Sequence, residues 1–215
     1  MPRPWLTFLT IGTLSAIVFV FFFLRLQPVK PKPIASNDTA GTQTTPTVTF
    51  VDPATGPSDA SVTIVEFGDF QCQPCKDLSD NLTAVMRSFP DDLRLVWKDM
   101  PNESAHSLAT PSAIAAQCAN RQGKFWEYHD ALFERQTYLS EDELANAAAD
   151  VGLDTIAFKA CYDNRDTLDV VRRGFQEGQA LGILATPTIY VGSDATSGAL
   201  SVEQLTTLVR NALHK

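Results

Sequence analysis

Apolar and β-branched positions are nearly continuous through Val62-Thr63-Ile64-Val65-Glu66-Phe67, the pattern of a strand buried on both faces. Past the turn Gly68-Asp69-Phe70-Gln71 the period changes. Leu78, Leu82, Val85, Met86 and Phe89 then fall three or four apart, which predicts an amphipathic helix with Cys72 at its start and Cys75 one turn inside. Residues 93–100 read as another strand, ended by Pro101, and the strand-helix-strand order favours parallel pairing with a right-handed crossover. Upstream, Val48-Thr49-Phe50-Val51 reads as a first short strand. Residues 52–58 are dense in turn formers.

The character changes after residue 107. Helical periodicity dominates to about Gly174: one run over 112–119, a second over 123–134 with the bulky face Phe125, Tyr128, Leu132 and Phe133, and a third opened by Ser140. Ser140 with Glu143 forms a capping-box pattern, and Leu139 is placed for a hydrophobic staple. Asp154 starts a fourth helix, and residues 165–177 supply one more, weakened by Gly174. Strand signal returns over 186–192, where Pro187 stands at the opening and its missing N–H is tolerable. A turn is expected from Ser193 to Leu200. Ser201 then caps a last helix, Val202–Leu213.

The N-terminal end follows a different pattern. Trp5 to Leu24 is twenty residues without a charge, long enough at about 1.5 Å per residue to cross about 30 Å of hydrocarbon. An uncleaved anchor is favoured over a signal peptide, because no small-x-small site follows Phe21-Phe22-Phe23-Leu24-Arg25. Arg25, Lys30 and Lys32 outnumber Arg3, so basic residues alone would keep the C-terminal side in the cytoplasm. The cysteine usage argues for an oxidising compartment instead, and that argument is preferred. The resulting organisation is an anchor at 1–26, an extended Pro- and Thr-rich linker at 27–47, an α/β half at 48–103, a helical insertion at 104–173 and a second α/β half at 174–215.

Charge narrows the function classes. With 17 basic against 25 acidic residues the net charge is −8, and no basic stripe offers a nucleic-acid footprint. The four cysteines stand at positions 72, 75, 118 and 161, too few for a disulfide-rich scaffold. A C-x-x-C directly after a strand in an α/β context reads as a dithiol redox centre. Unpaired N–H groups and the positive helix end would favour the Cys72 thiolate, with Cys75 deeper as the resolving thiol. Glu66, in mid-strand, is either a fixed hydrogen-bonding group or a buried acid of raised pKa that exchanges protons with Cys75. A place at the solvent end of the strand is the remaining alternative.

Three separated stretches carry a family likeness. The run from Val62 to Cys75 resembles the active-site stretch of the DsbA-like thiol:disulfide oxidoreductases, which have a thioredoxin fold with a helical insertion. Gln122-Gly123-Lys124-Phe125-Trp126-Glu127-Tyr128-His129-Asp130-Ala131-Leu132-Phe133 is similar to that insertion, and Gly182-Ile183-Leu184-Ala185-Thr186-Pro187-Thr188 to the family's cis-proline loop. The resemblance implies an α/β thioredoxin-like fold in which Cys72 attacks, Cys75 resolves and Glu66 is the buried acid. It also implies that Pro187 is cis opposite the cysteines and that Thr186 offers backbone hydrogen bonds to a substrate strand. One departure matters: strongly oxidising members carry a histidine between the cysteines, whereas this chain has Gln73-Pro74. A less stabilised thiolate makes a less oxidising disulfide.

Cys118 and Cys161 lie 43 positions apart in two helices of the insertion, and a structural disulfide is their simplest account. Some members of the family have a similar second pair. Two separate thiols and a relay to Cys72 are the alternatives. A zinc set drawn from the cysteines with His106 or His129 lacks a second close ligand pair, so no metal is expected. His129 reads as a packed or half-exposed helix residue, and His106 has no partner the sequence can name. Phe125, Trp126 and Tyr128 read as core.

The implied reaction needs no cofactor. A client thiolate attacks Cys72, and a second client cysteine resolves the mixed disulfide. Reduced exported proteins would be the substrates, and a quinone-linked membrane oxidase would recharge a monomer on the extracytoplasmic side of the cell membrane. The rival readings are a reductase or isomerase kept reduced by a membrane donor, and a binding or assembly module with a structural C-x-x-C.

Overall fold

The structure, a computed structural model, describes residues 44–214. The expected anchor at 1–26 and most of the linker lie outside these residues. No helix among the described residues is long and apolar enough to cross a membrane. In chain order the elements are β1 (Ala54–Thr55), β2 (Val62–Gly68), α1 (Gln73–Ser88), β3 (Leu93–Asp99), α2 (Ala109–Asn120) and α3 (Phe125–Glu134). A 3-10 turn (Gln136–Tyr138) precedes α4 (Glu141–Asp150), α5 (Thr155–Asp163), α6 (Leu168–Ala180), β4 (Thr188–Val191), β5 (Asp194–Ser197) and α7 (Val202–Leu213).

The five strands form one sheet in the order β1-β3-β2-β4-β5, with β2 and β3 parallel and the other pairs antiparallel. The apolar runs take the centre because only a strand covered on both faces can bury every residue. On one face Val62 and Ile64 meet Leu78, Leu82 and Val85 of α1 and Leu205 and Val209 of α7. On the other, Val65, Phe67, Val96 and Tyr190 pack with Met100, Ile183 and Phe175. Strand alternation assigns Glu66 to the Ile64 face. The insertion builds a third cluster in which Phe70 and Trp97 stack at 4.9 Å against Phe125 and Phe133.

Several expectations are corrected. Residues 48–51 form no strand; the backbone N–H and hydroxyl of Thr49 both donate to Asp52 Oδ2, closing a turn. Lys98 Nζ, almost buried, ties that turn down by bonds to Asp52 Oδ2 at 2.8 Å and the Thr47 carbonyl at 2.7 Å, with Glu177 Oε2 at 3.0 Å. Only two residues, Ala54 and Thr55, then reach the sheet edge. Within the expected turn at 193–200, Asp194–Ser197 pairs with β4 as an edge strand. Ser140 caps α4 through the Glu143 N–H at 3.2 Å, but the Glu143 carboxylate turns to Arg135 Nε, so the capping box is half formed. The helix expected from residue 165 starts at Leu168 and runs through Gly174 unbroken. Gly174 permits close packing there: a Cβ would fall 2.8 Å from the Asp99 carbonyl oxygen of β3.

Candidate active site

Cys72 is the N-cap of α1. Its backbone is extended (φ −79°, ψ 112°), and its Sγ accepts the Cys75 N–H at 3.3 Å. Pro74 occupies the first turn, where a missing N–H leaves nothing unsatisfied. Cys75 faces inward and is fully buried, whereas Cys72 retains 5 % exposure. Both are free thiols.

The loop before β4 comes to the same point. The Thr186–Pro187 peptide is cis, and the Cys72 thiol donates to the Thr186 carbonyl at 3.3 Å. Thr188 holds that loop, donating from Oγ1 to the Ala185 carbonyl at 2.8 Å. The sheet register sets Glu66 opposite Ile189 and Thr188 opposite Phe67, so β2 carries the cysteine turn and β4 the proline loop side by side.

These contacts set the acidities. The Cys72 thiol is pulled down to about 7, first by the Cys75 thiol hydrogen bond and then by the Thr186 side chain and the Cys75 N–H, against desolvation and the Asp69 charge. Burial pushes Cys75 far up, and the neighbouring Cys72 thiol adds to the effect. Glu66 is 1 % exposed, and neither carboxylate oxygen has a hydrogen-bond partner among the described residues. Burial raises it to about 8, with a further push from the Cys72 charge. Glu66 thus lies in the buried middle of β2 and not at a solvent end of the strand.

Two groups beside the cysteines carry little signal in the sequence. Asp69 Oδ1 accepts the Gln71 N–H at 2.8 Å, the two-residue reach of an Asx turn. Its Oδ2 accepts the Asn102 N–H at 2.9 Å and lies 2.8 Å from His106 Nδ1, which supplies the partner His106 lacked. Gln136 Nε2 donates to the carbonyls of Phe70 at 2.8 Å and Cys72 at 3.1 Å, clamping the turn from the insertion. Nothing local announces a contact 64 residues away. Gln73, between the cysteines, spends its amide on Asp77 Oδ1 at 3.0 Å.

Away from this site, Cys118 of α2 and Cys161 of α5 form a disulfide with Cα atoms 5.9 Å apart. The bond removes both from any zinc set, and no group of three potential ligands occurs among the described residues. His129 is buried at 2 % exposure among Phe70, Trp97, Trp126 and Phe133.

A strand, a cysteine-capped helix and a facing cis-proline loop define a thioredoxin-type redox fold. A family model described as Thioredoxin matches residues 49–211, and the chain belongs to that family. Its relatives include the Na(+)/H(+) antiporter NhaA of Herminiimonas arsenicoxydans, 33 % identical over 159 residues that cover 74 % of this chain and 25 % of that protein. The chain therefore spans about a quarter of the length of the curated relatives it matches. Among solved structures it is similar to a thioredoxin-like oxidoreductase from Silicibacter pomeroyi DSS-3, at 26 % identity and a TM-score of 0.69 over 78 % of this chain and 95 % of the other. It shares the fold of the thiol-disulfide exchange protein alpha-DsbA2 from Wolbachia pipientis, at 20 % identity and a TM-score of 0.68 over 75 % and 87 % of the two chains. The DsbA-like resemblance read from the three motifs agrees with these matches.

Proposed function

We propose that the protein is a thiol:disulfide oxidoreductase that passes a disulfide from Cys72–Cys75 to exported proteins. The observation that carries the reading is the asymmetry of the pair: Cys72 at a helix start with an acidity near 7, Cys75 buried and held protonated. Starting from the disulfide, a client thiolate attacks Cys72 Sγ. The client–Cys72 bond forms, the Cys72–Cys75 bond breaks, and Cys75 leaves as a thiolate that takes its proton from Glu66. A second client thiolate attacks the client sulfur and expels the Cys72 thiolate. Two electrons pass from the client to the pair, one client proton replaces that of Glu66, and the other goes to solvent or Cys72. No cofactor takes part.

Thiolate stabilisation sets the strength of such an oxidant. Lowering a thiol from 9.0 to about 7 favours the reduced form by well under about 1 kcal/mol at pH 7, on the order of 10 mV. A thiol near 3.5, as in DsbA, would contribute about 5 kcal/mol, on the order of 100 mV. Because Gln73 is engaged by Asp77, no side chain between the cysteines adds to the effect. That observation favours a second reading, a reductase or isomerase kept reduced by a membrane donor. The Cys118–Cys161 disulfide supports an oxidising compartment, which both readings share. Membrane anchoring, a quinone-linked recharging partner and a monomeric state on the extracytoplasmic side belong to this proposal.

Replacing Cys75 by serine tests the class. The variant should accumulate client disulfides through Cys72, detected by non-reducing electrophoresis and mass spectrometry. If Cys75→Ser traps nothing while Cys72 remains alkylatable, the pair is structural and the oxidoreductase reading fails.

A further inference from the structure

Thr186 borders more than the cysteines. It also lines a cavity of about 790 Å³ between the proline loop, the segment after β3 and one side of α6. Ile183 and Val171 contribute apolar wall, and Leu184, 99 % exposed, stands at the rim two residues from the Thr186 carbonyl that meets Cys72 Sγ. Arg165 and Arg172 also line this space. Its one carboxylate, Glu103, already accepts the Thr110 hydroxyl at 2.6 Å. Arg172 Nη1 lies 3.7 Å from Asp169 Oδ1, too far for a hydrogen bond, and both side chains are exposed. The cavity is thus locally basic in a chain whose net charge is −8.

Arg165 occupies an unusual position. Helix α5 ends in a Schellman motif, with the Arg165 N–H on the Tyr162 carbonyl and the Asp166 N–H on the Cys161 carbonyl. Arg165 sits at its left-handed corner (φ 53°), where glycine is the residue adopted without strain. The motif starts at Cys161, which the disulfide to Cys118 ties to α2. A long cationic side chain is therefore kept at a backbone position that favours none, and it faces the cavity.

The geometry points to this cavity as the docking site for an acidic segment of the client chain next to its reacting cysteine, with Arg165 and Arg172 taking its carboxylates and Leu184 its apolar side chain. The inference rests on the oxidoreductase reading and names its preferred substrate. The segment enters along the Thr186 loop, which is continuous with the sulfur that is attacked. Two exposed guanidinium–carboxylate contacts amount to a preference of about three- to tenfold.

The test uses the full chain in its oxidised form and two synthetic dithiol peptides of equal length, one with glutamates and one with lysines beside the cysteines. Rates of exchange are measured for wild type and for the double variant Arg165→Gly, Arg172→Gln. Glycine suits the left-handed corner, so the variant keeps the fold. Comparing the glutamate-to-lysine rate ratio between the two proteins cancels the intrinsic difference in peptide thiol acidity. The ratio should fall about three- to tenfold in the variant, and the wild-type ratio should fall similarly in about 0.5 M salt. A ratio that changes less than about twofold overturns the docking site. Failure of wild type to exchange with either peptide or with dithiothreitol overturns the parent reading instead.

Discussion

Exchanging Glu66 for glutamine removes the one titratable group on the apolar face of β2. In the folded protein this carboxyl holds its proton up to about pH 8, against 4.5 in the open chain. A group whose folded pKa is raised binds protons more tightly in the native state, so its favourable share of stability is present below about 4.5 and is lost as pH climbs through about 8. Integrated over that window, wild type loses about 3 to 4 kcal/mol between pH 5 and pH 8 from Glu66 alone. Glutamine has no such dependence. Urea unfolding of the full chain at about half-unit pH steps would measure both profiles, since m reports any change in the unfolded state. The Glu66→Gln profile should run within about 1 kcal/mol of wild type at pH 5 and about 3 to 4 kcal/mol above it at pH 8. A constant offset from imperfect amide packing would move the whole curve without changing this divergence. Parallel profiles would refute the buried-acid account and with it the proton transfer to Cys75.

Other perturbations follow from single contacts. Replacing Cys118 and Cys161 together by alanine reopens a loop closed across 43 positions and should lower stability by about 4 kcal/mol on the loop-entropy model, with Tm falling by about 10 °C. A loss below about 1 kcal/mol in calorimetry would show that packing alone holds α2 to α5. Asp69→Asn removes a charge that opposes the Cys72 thiolate, so the midpoint of the pH-dependent alkylation rate of Cys72 should move below about 7. An upward movement would mean that the turn held by Gln71, Asn102 and His106 matters more than the charge. Pro74→His supplies a cationic donor between the cysteines; each pH unit by which it takes Cys72 below ambient pH should raise the redox potential by about 30 mV. An unchanged potential would refute the thiolate argument.

The centre of the fold was legible because it rests on local pattern. The apolar run at Val62, the helix spaced from Leu78 and the Cys72 N-cap all follow from neighbours in sequence. The same holds for Asp154 and Ser201, whose caps form as their positions require. Edges were harder. Asp194-Ala195-Thr196-Ser197 has little apolar alternation and pairs only because Gly192-Ser193, with φ 63° at the glycine, turns the chain back onto β4. The Gly-Ser pair is a two-residue hairpin signal. Val48 to Val51 misled in the other direction: its β-branched residues are tied into a turn by Asp52 and Lys98, a long-range ion pair that overrides propensity. Within the candidate site, the contact of Cys72 with the Thr186–Pro187 loop was foreshadowed by the motifs, whereas the Gln136 clamp was not. Its amide reaches the Cys72 carbonyl from the insertion, and only the tertiary fold brings them together.

The redox potential of Cys72–Cys75, measured on the full chain against glutathione, tests the central claim most directly. The moderate thiolate at Cys72 predicts a reversible two-electron couple between about −180 and −230 mV, an oxidant weaker than DsbA that can still donate. A value near −120 mV would contradict the thiolate account. A value below about −250 mV would contradict disulfide donation and pass the assignment to a reductase or isomerase.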